Sequence, residues 1–330
     1  MPMIPAQFLN CAFFLYKNKE SALAGENMGG TGFLVALPSP DDNLGHHYGV
    51  TNYHVAVSGG FSCVRINTST GVEVFEFGPE DWIFEPDGDD IAVVPLDIRQ
   101  PGQIAFFIGG NLLHYQEEAI QARFGPGDDV FMVGRFVDID AQQTNVPAAR
   151  FGNISTPIVP IEEPNGHVGD CYILDMHSRT GYSGSPVFIY RTPGNSLDWA
   201  LTGEPIDMSR GELALLGIHC GQFPEELPIK KRLKEIDEAS GEKEFEEYIQ
   251  GMSGMTIVVP AWHLKALLAR NDLATQRREV EEMRAKSKKQ AKPLPEVASK
   301  RLPAAQVNPR HERDFTNLLR RAVRPPKQGD

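Results

Sequence analysis

The chain has 330 residues, of which 41% are hydrophobic and 9% aromatic, and a formal net charge of −12. An apolar fraction near the globular average excludes a chain disordered throughout, and the lack of any apolar run of about 18 residues excludes a spanning helix. The 31 glycines and 25 prolines point to many turns and short strands rather than a helical bundle. Charge is unevenly spread: Ala266 to Asp330 holds 16 Lys+Arg against 8 Asp+Glu, so an acidic body carries a basic tail. The acidic body argues against a broad nucleic-acid surface, which needs clustered positive charge. The four cysteines, Cys11, Cys63, Cys171 and Cys220, are too few for a disulfide scaffold and lack metal-site spacing. The N-terminal stretch has no basic segment before its apolar run, which Gln7 and Asn10 interrupt, and no cleavage site after it. These features lead us to expect reduced thiols, a cytoplasmic location and no metal or other cofactor.

In chain order, Gly32 to Leu37 is a short apolar run stopped by Pro38-Ser39-Pro40-Asp41-Asp42, and Tyr48 to Tyr53 follows a polar loop. Gly71 to Phe77 alternates with period two. Ile91 to Leu96, Val130 to Gly134, Pro186 to Tyr190, Leu213 to His219 and Met255 to Val259 continue the series. Short runs bounded by Gly, Pro, Asp and Asn predict an all-β barrel or sandwich. Glu225 to Gln250 is charged and mostly helix-permitting. From Pro260, Trp262, Leu264, Leu267 and Leu268 give a helical face, which fades between Arg277 and Lys292 into a linker at Pro293-Leu294-Pro295. A last helix is expected after the N-cap Asn308 and Pro309, with Phe315, Leu318, Leu319, Ala322 and Val323 on one face.

Three motifs carry chemistry: Thr51-Asn52-Tyr53-His54-Val55, Asp89-Asp90-Ile91-Ala92-Val93-Val94 and Gly181-Tyr182-Ser183-Gly184-Ser185-Pro186. A serine hydroxyl is a weak nucleophile and needs an adjacent base. A histidine takes that proton near neutral pH and returns it to a leaving amine. The histidine needs a buried carboxylate to fix its tautomer. Glycines beside the serine allow a sharp turn that aims N–H groups at a developing oxyanion.

Together with Gly30-Thr31-Gly32-Phe33-Leu34-Val35, these motifs resemble those of the trypsin/chymotrypsin-type serine proteases over roughly residues 8 to 268. The resemblance implies two six-stranded antiparallel β-barrels, about 8–105 and 106–268, within a peptidase domain at 1–268, with a basic helical tail at 269–330. It also implies His54 as general base, Asp90 as its orienting partner, Ser183 as nucleophile, and the N–H groups of Gly181 and Ser183 as the oxyanion hole. Asp90 is chosen over Asp87 and Asp89 because it abuts the apolar strand, as in the family; Asp89 is then expected to be a solvated loop acid.

Two departures narrow the resemblance. Tyr182 stands where secreted digestive members have an aspartate, and the disulfides of those members cannot be matched. The chain is more similar to bacterial trypsin-like proteases that work without them. Leu216-Gly217-Ile218-His219-Cys220-Gly221 resembles the glutamyl endopeptidases. On that resemblance His219, with Ser178, lines the primary pocket and favours Glu or Gln before the scissile bond. The insert 223–253 is expected to be a lid, an exosite or a surface embellishment. The Phe315 to Val323 helix would pack on the body or dock on a partner protein. The implied function is a serine endopeptidase acting on peptides or proteins. The alternative is a weakly catalytic binding module on a protease fold.

Overall fold

The computed structural model describes residues 3–40, 45–113, 124–135, 143–178, 181–192, 212–229 and 247–290. The chain divides into two compact units, 1–282 and 283–330; the site lies wholly in the first.

Two antiparallel sheets make up that unit. The first holds β1 (Ala12–Tyr16), β2 (Gly30–Leu37), β3 (His46–Thr51), β4 (Cys63–Thr68), β5 (Gly71–Phe75), β6 (Ile83–Phe84), β7 (Ala92–Pro95) and β8 (Gln103–Ile104). Its order is β5-β4-β1-β2-β3-β7-β6, with β8 paired to β4. The second holds β9 (Asp129–Arg135), β10 (Pro147–Ile154), β11 (Val159–Glu162), β12 (Val168–Asp175), β13 (Pro186–Arg191), β14 (Glu212–Ile229) and β15 (Glu247–Pro260). Its order is β10-β9-β13-β14-β15-β12-β11, and a further pairing of β12 with β10 closes six of these strands into a ring. The architecture is the all-β double barrel expected from the motifs.

The central strands β1, β2, β9 and β13 read as nearly unbroken apolar runs because they bury both faces. Successive side chains point to opposite sides of a strand. In the first sheet Phe13, Leu15, Leu34, Val64 and Ile66 fill one core around the buried Trp82. In the second, Val130, Met132, Val187, Ile189 and Leu216 fill another. The intervening residues, Phe33, Val35, Val50 and Val93 from one sheet and Phe131, Val133, Phe188 and Leu215 from the other, form a third core shared by the two sheets. Phe8 sits in that shared core, its ring 5.3 Å from Phe188 and 6.1 Å from Phe131. The alternation that builds each barrel therefore also joins them.

The described residues also hold four α-helices: α1 (Lys19–Ala24), α2 (Gly110–Leu113), α3 (Ala261–Leu268) and α4 (Asn271–Gln290). The first is N-capped by Asn18, whose side-chain oxygen accepts from the Ser21 N–H. The helical face from Pro260 onward is α3. Beyond it the helix does not fade as expected but runs as α4 to Gln290. Contacts with β3 hold its first half: Arg277 donates to the Tyr48 hydroxyl at 3.0 Å and His46 Nε2 lies 2.8 Å from Glu281. Tertiary packing here overrides a weak local pattern.

The expectation of helix between Glu225 and Gln250 fails at both ends of that segment. There β14 and β15 continue as an antiparallel ribbon, with Ile229 opposite Glu247. A strand already paired along its length extends by adding ladder hydrogen bonds, which decides the conformation of Glu225–Ile229. Residues 230–246 and the helix expected at Phe315 to Val323 lie outside the described residues. No helix among the described residues is long and apolar enough to cross a membrane.

Candidate active site

His54 opens a single π-helical turn, His54–Ser58, just after β3. Asp90 precedes β7, the strand paired to β3. The pairing brings both side chains to the same end of the first sheet. Asp90 is fully buried and grips His54 with both carboxylate oxygens: Oδ1 accepts the His54 backbone N–H at 2.8 Å and Oδ2 lies 2.5 Å from Nδ1. A carboxylate there requires the proton on Nδ1, which leaves Nε2 as the basic ring nitrogen. Asn52 holds the loop from behind, its amide donating to the Asp90 carbonyl at 2.8 Å.

Two further acids stand next to this pair. Glu163, buried at the end of β11, accepts the Asp90 N–H through Oε2 at 2.5 Å. Burial, reinforced by the charges of Asp89 and Asp90, pushes the Glu163 carboxyl up to about 7. Asp89 is not the solvated acid expected. Its Oδ2 lies 2.8 Å from His263 Nδ1 and its Oδ1 3.8 Å from His167 Nε2. Burial opposes its ionisation, but the hydrogen bond to His263 and the charge of both imidazoles outweigh it and hold the carboxyl below its ordinary value. Nothing local in the sequence announces Glu163; only the closing of the two sheets brings it to Asp90.

Ser183 lies in the 181–185 turn that leads into β13, and that turn is docked on the first sheet through backbone groups. The Thr31 N–H donates to the Ser183 carbonyl at 2.9 Å and the Thr31 hydroxyl to the Gly181 carbonyl at 2.7 Å. Gly181 and Gly184 have φ of +93° and +85°, a region open to glycine and strained for other residues. A Cβ on Gly184 would lie 2.0 Å from the Thr31 carbonyl oxygen and 2.2 Å from Thr51 Oγ1. The Gly184 and Ser185 N–H groups are used, donating to His219 and Tyr182 carbonyls. Among the described residues, the Gly181 and Ser183 N–H groups donate to no acceptor. These are the two groups expected at an oxyanion hole. The Ser183 hydroxyl makes no hydrogen bond to His54 among the described residues.

His219 and Ser178 come together: Nε2 and Oγ lie 2.8 Å apart, and both side chains are buried. Burial, helped by the charge of His54, pulls the His219 imidazole down to about 3 and keeps it neutral. The four cysteines are buried and free.

The chain matches no protein-family model and no curated protein. Solved structures similar to it include the HtrA-type protease AlgW with a decapeptide (14% identity, TM-score 0.40), of whose length the chain spans about half, 51%, over 74% of its own. The MamO protease domain from Magnetospirillum magneticum is 14% identical, with a TM-score of 0.43 over 80% of this chain and 99% of that one. The active form of the Rv3671c protease from M. tuberculosis is 17% identical, with a TM-score of 0.38 over 82% and 90%.

Proposed function

We propose that the chain is a serine endopeptidase with Ser183 as nucleophile, His54 as general base and acid, and Asp90 as the carboxylate that orients His54. The two-oxygen grip of Asp90 on His54 carries this reading. A buried carboxylate committed to one imidazole fixes the tautomer that a serine nucleophile needs. The docked turn supports it by offering the Gly181 and Ser183 N–H groups beside a serine.

In the first step Ser183 Oγ attacks the carbonyl carbon of the scissile amide while its proton passes to His54 Nε2. The carbonyl π bond opens to an oxyanion, stabilised by the N–H groups of Gly181 and Ser183. Collapse breaks the C–N bond, and the leaving amine takes the proton from His54. Water then attacks the acyl-enzyme ester with His54 again as base, releasing the acid and restoring Ser183. Asp90 stays ionised and stabilises the imidazolium. The Ser183–His54 hydrogen bond forms as substrate docks, since such bonds often tighten only in the complex.

His219 and Ser178 form the floor of the pocket for the side chain before the scissile bond in this reading. A neutral imidazole and a hydroxyl hydrogen-bond a carboxamide or carboxyl group, so Gln or Glu fits. Substrates are peptides or proteins, and four buried free cysteines suit a reducing compartment such as the cytoplasm. A second reading, a protease fold kept for binding, is favoured by the missing Ser183–His54 hydrogen bond. Fluorophosphonate labelling, read beside cleavage of a peptide library by wild type and Ser183→Ala, separates the two. Labelling and cuts confined to the wild type support the enzyme. No labelling and no cuts support the binding module.

A further inference from the structure

Asp89, Glu163 and His167 each point one ligating atom at the same small volume, with the three atoms within 4.8 Å of one another. The chain segments differ: Asp89 precedes β7 in the first sheet, whereas Glu163 and His167 flank the β11–β12 turn of the second. Asp89 Oδ1 is buried and has no hydrogen-bond partner. It faces His167 Nε2 at 3.8 Å, a span that two ligands about 2.0–2.2 Å from one shared ion can bridge. The space between them is kept open by a glycine. A Cβ on Gly169 would lie 2.5 Å from Glu163 Oε1 and 2.8 Å from Asp89 Oδ1.

A divalent ion between these atoms would satisfy the orphaned Asp89 oxygen. The surroundings are those of a metal site: His263 hydrogen-bonds the second Asp89 oxygen, as partners beyond the direct ligands orient a ligating carboxylate. Cys171 Sγ stands 3.8 Å from Glu163 Oε1. Solvent reaches the cluster from two clefts, of about 440 Å³ beside His167 and about 230 Å³ beside Asp89 and His263.

We propose that Asp89, Glu163 and His167 bind one divalent transition-metal ion of the zinc type, which ties the loop before β7 to the β11–β12 turn directly behind Asp90. An imidazole with two carboxylates suits zinc better than magnesium or calcium, which prefer oxygen alone. This departs from the metal-free expectation drawn from cysteine spacing, because no ligand is a cysteine and two of the three come from a distant segment. The ion is structural. It fixes Glu163 as the acceptor for the Asp90 N–H and so steadies the carboxylate that holds His54.

The test uses the full chain, stripped with chelator and titrated with Zn²⁺ by calorimetry and thermal melting. The expected result is one ion per chain and a melting temperature raised by about 5 °C at a hundredfold excess over Kd. Asp89→Asn, which keeps the side-chain shape, and His167→Ala, which removes a half-exposed ring, should each weaken binding about tenfold or more. His54→Ala should bind the ion as the wild type does. Melting of each chelated variant checks its fold, and Asp89→Asn remains decisive where His167→Ala fails to fold. The proposal is overturned by no uptake of Zn²⁺, by unchanged binding in Asp89→Asn, or by loss of binding in His54→Ala, which would put the ion on the catalytic pair. Ion uptake is read without substrate, so failure of the peptidase reading and failure of this one are distinguishable.

Discussion

The two sheets contribute to the candidate site in different materials. The first supplies side chains: a buried carboxylate with both oxygens bound to one histidine. The second supplies backbone: a turn with two glycines at positive φ, whose carbonyls accept from the Thr31 N–H and hydroxyl and which offers unused N–H groups. A site of the first kind is broken by changing one functional group while the fold stays. A site of the second kind is broken by adding atoms, even a single methyl. The difference is testable, because it assigns a different class of variant to each half.

The largest expected effect belongs to Ser183, the side chain that the proposed mechanism takes from the backbone half. Ser183→Ala should lower kcat by about 10⁶-fold with the denaturation midpoint unchanged. A residual rate near wild type would remove Ser183 from the chemistry. Next comes the side-chain half. Asp90→Asn keeps the shape but reverses the tautomer demanded of His54, and should lower kcat by about 10⁴-fold. A fall of less than tenfold would show that the grip on His54 is structural only. Gly184→Ala then probes the backbone half without touching a functional group. Its new methyl meets the Thr31 carbonyl and the Thr51 hydroxyl at a φ that alanine resists. The turn must shift, and a displacement of about 1 Å costs about 10²-fold in kcat. Normal kcat in Gly184→Ala would dissolve the distinction between the halves.

The same distinction explains what the sequence made legible. His54, Asp90 and Ser183 sit in short motifs at strand ends, and the structure places the first two in direct contact and the third in a turn docked on the same sheet. The fold class was readable because strands buried on both faces leave continuous apolar runs between turn residues. What stayed hidden was long-range. Glu163 is 73 positions from the Asp90 N–H it accepts. Asp89 looked solvated because the histidines that surround it, His167 and His263, come from the second sheet and from α3. The β14–β15 ribbon was missed because its ends carry charged, helix-permitting residues whose conformation is set by the strand they extend. Pairing between distant segments leaves no local signature when the paired residues are polar.

The smallest effect concerns His219, which joins the two halves by feeling the charge of His54 from beneath the serine turn. Its imidazole titrates at about 3 in the folded chain against 6.5 in the free side chain. Between those values the unfolded chain binds one more proton than the folded one, so stability rises with pH there and falls as pH drops below 6.5. Lowering the pH from 7 to 5.5 should therefore remove about 1 kcal/mol of unfolding free energy through this group alone. Urea unfolding of wild type and His219→Gln at the two pH values isolates the contribution, since glutamine can still bond Ser178 but does not titrate. The variant should lose about 1 kcal/mol less than the wild type over this interval. An equal loss in both proteins would mean that His219 is reached by solvent and already protonates in the folded state. In the proposed pocket, a floor open to water in that way would bind a substrate carboxylate through a charged imidazole, and the proposed preference would narrow from Gln or Glu to Glu.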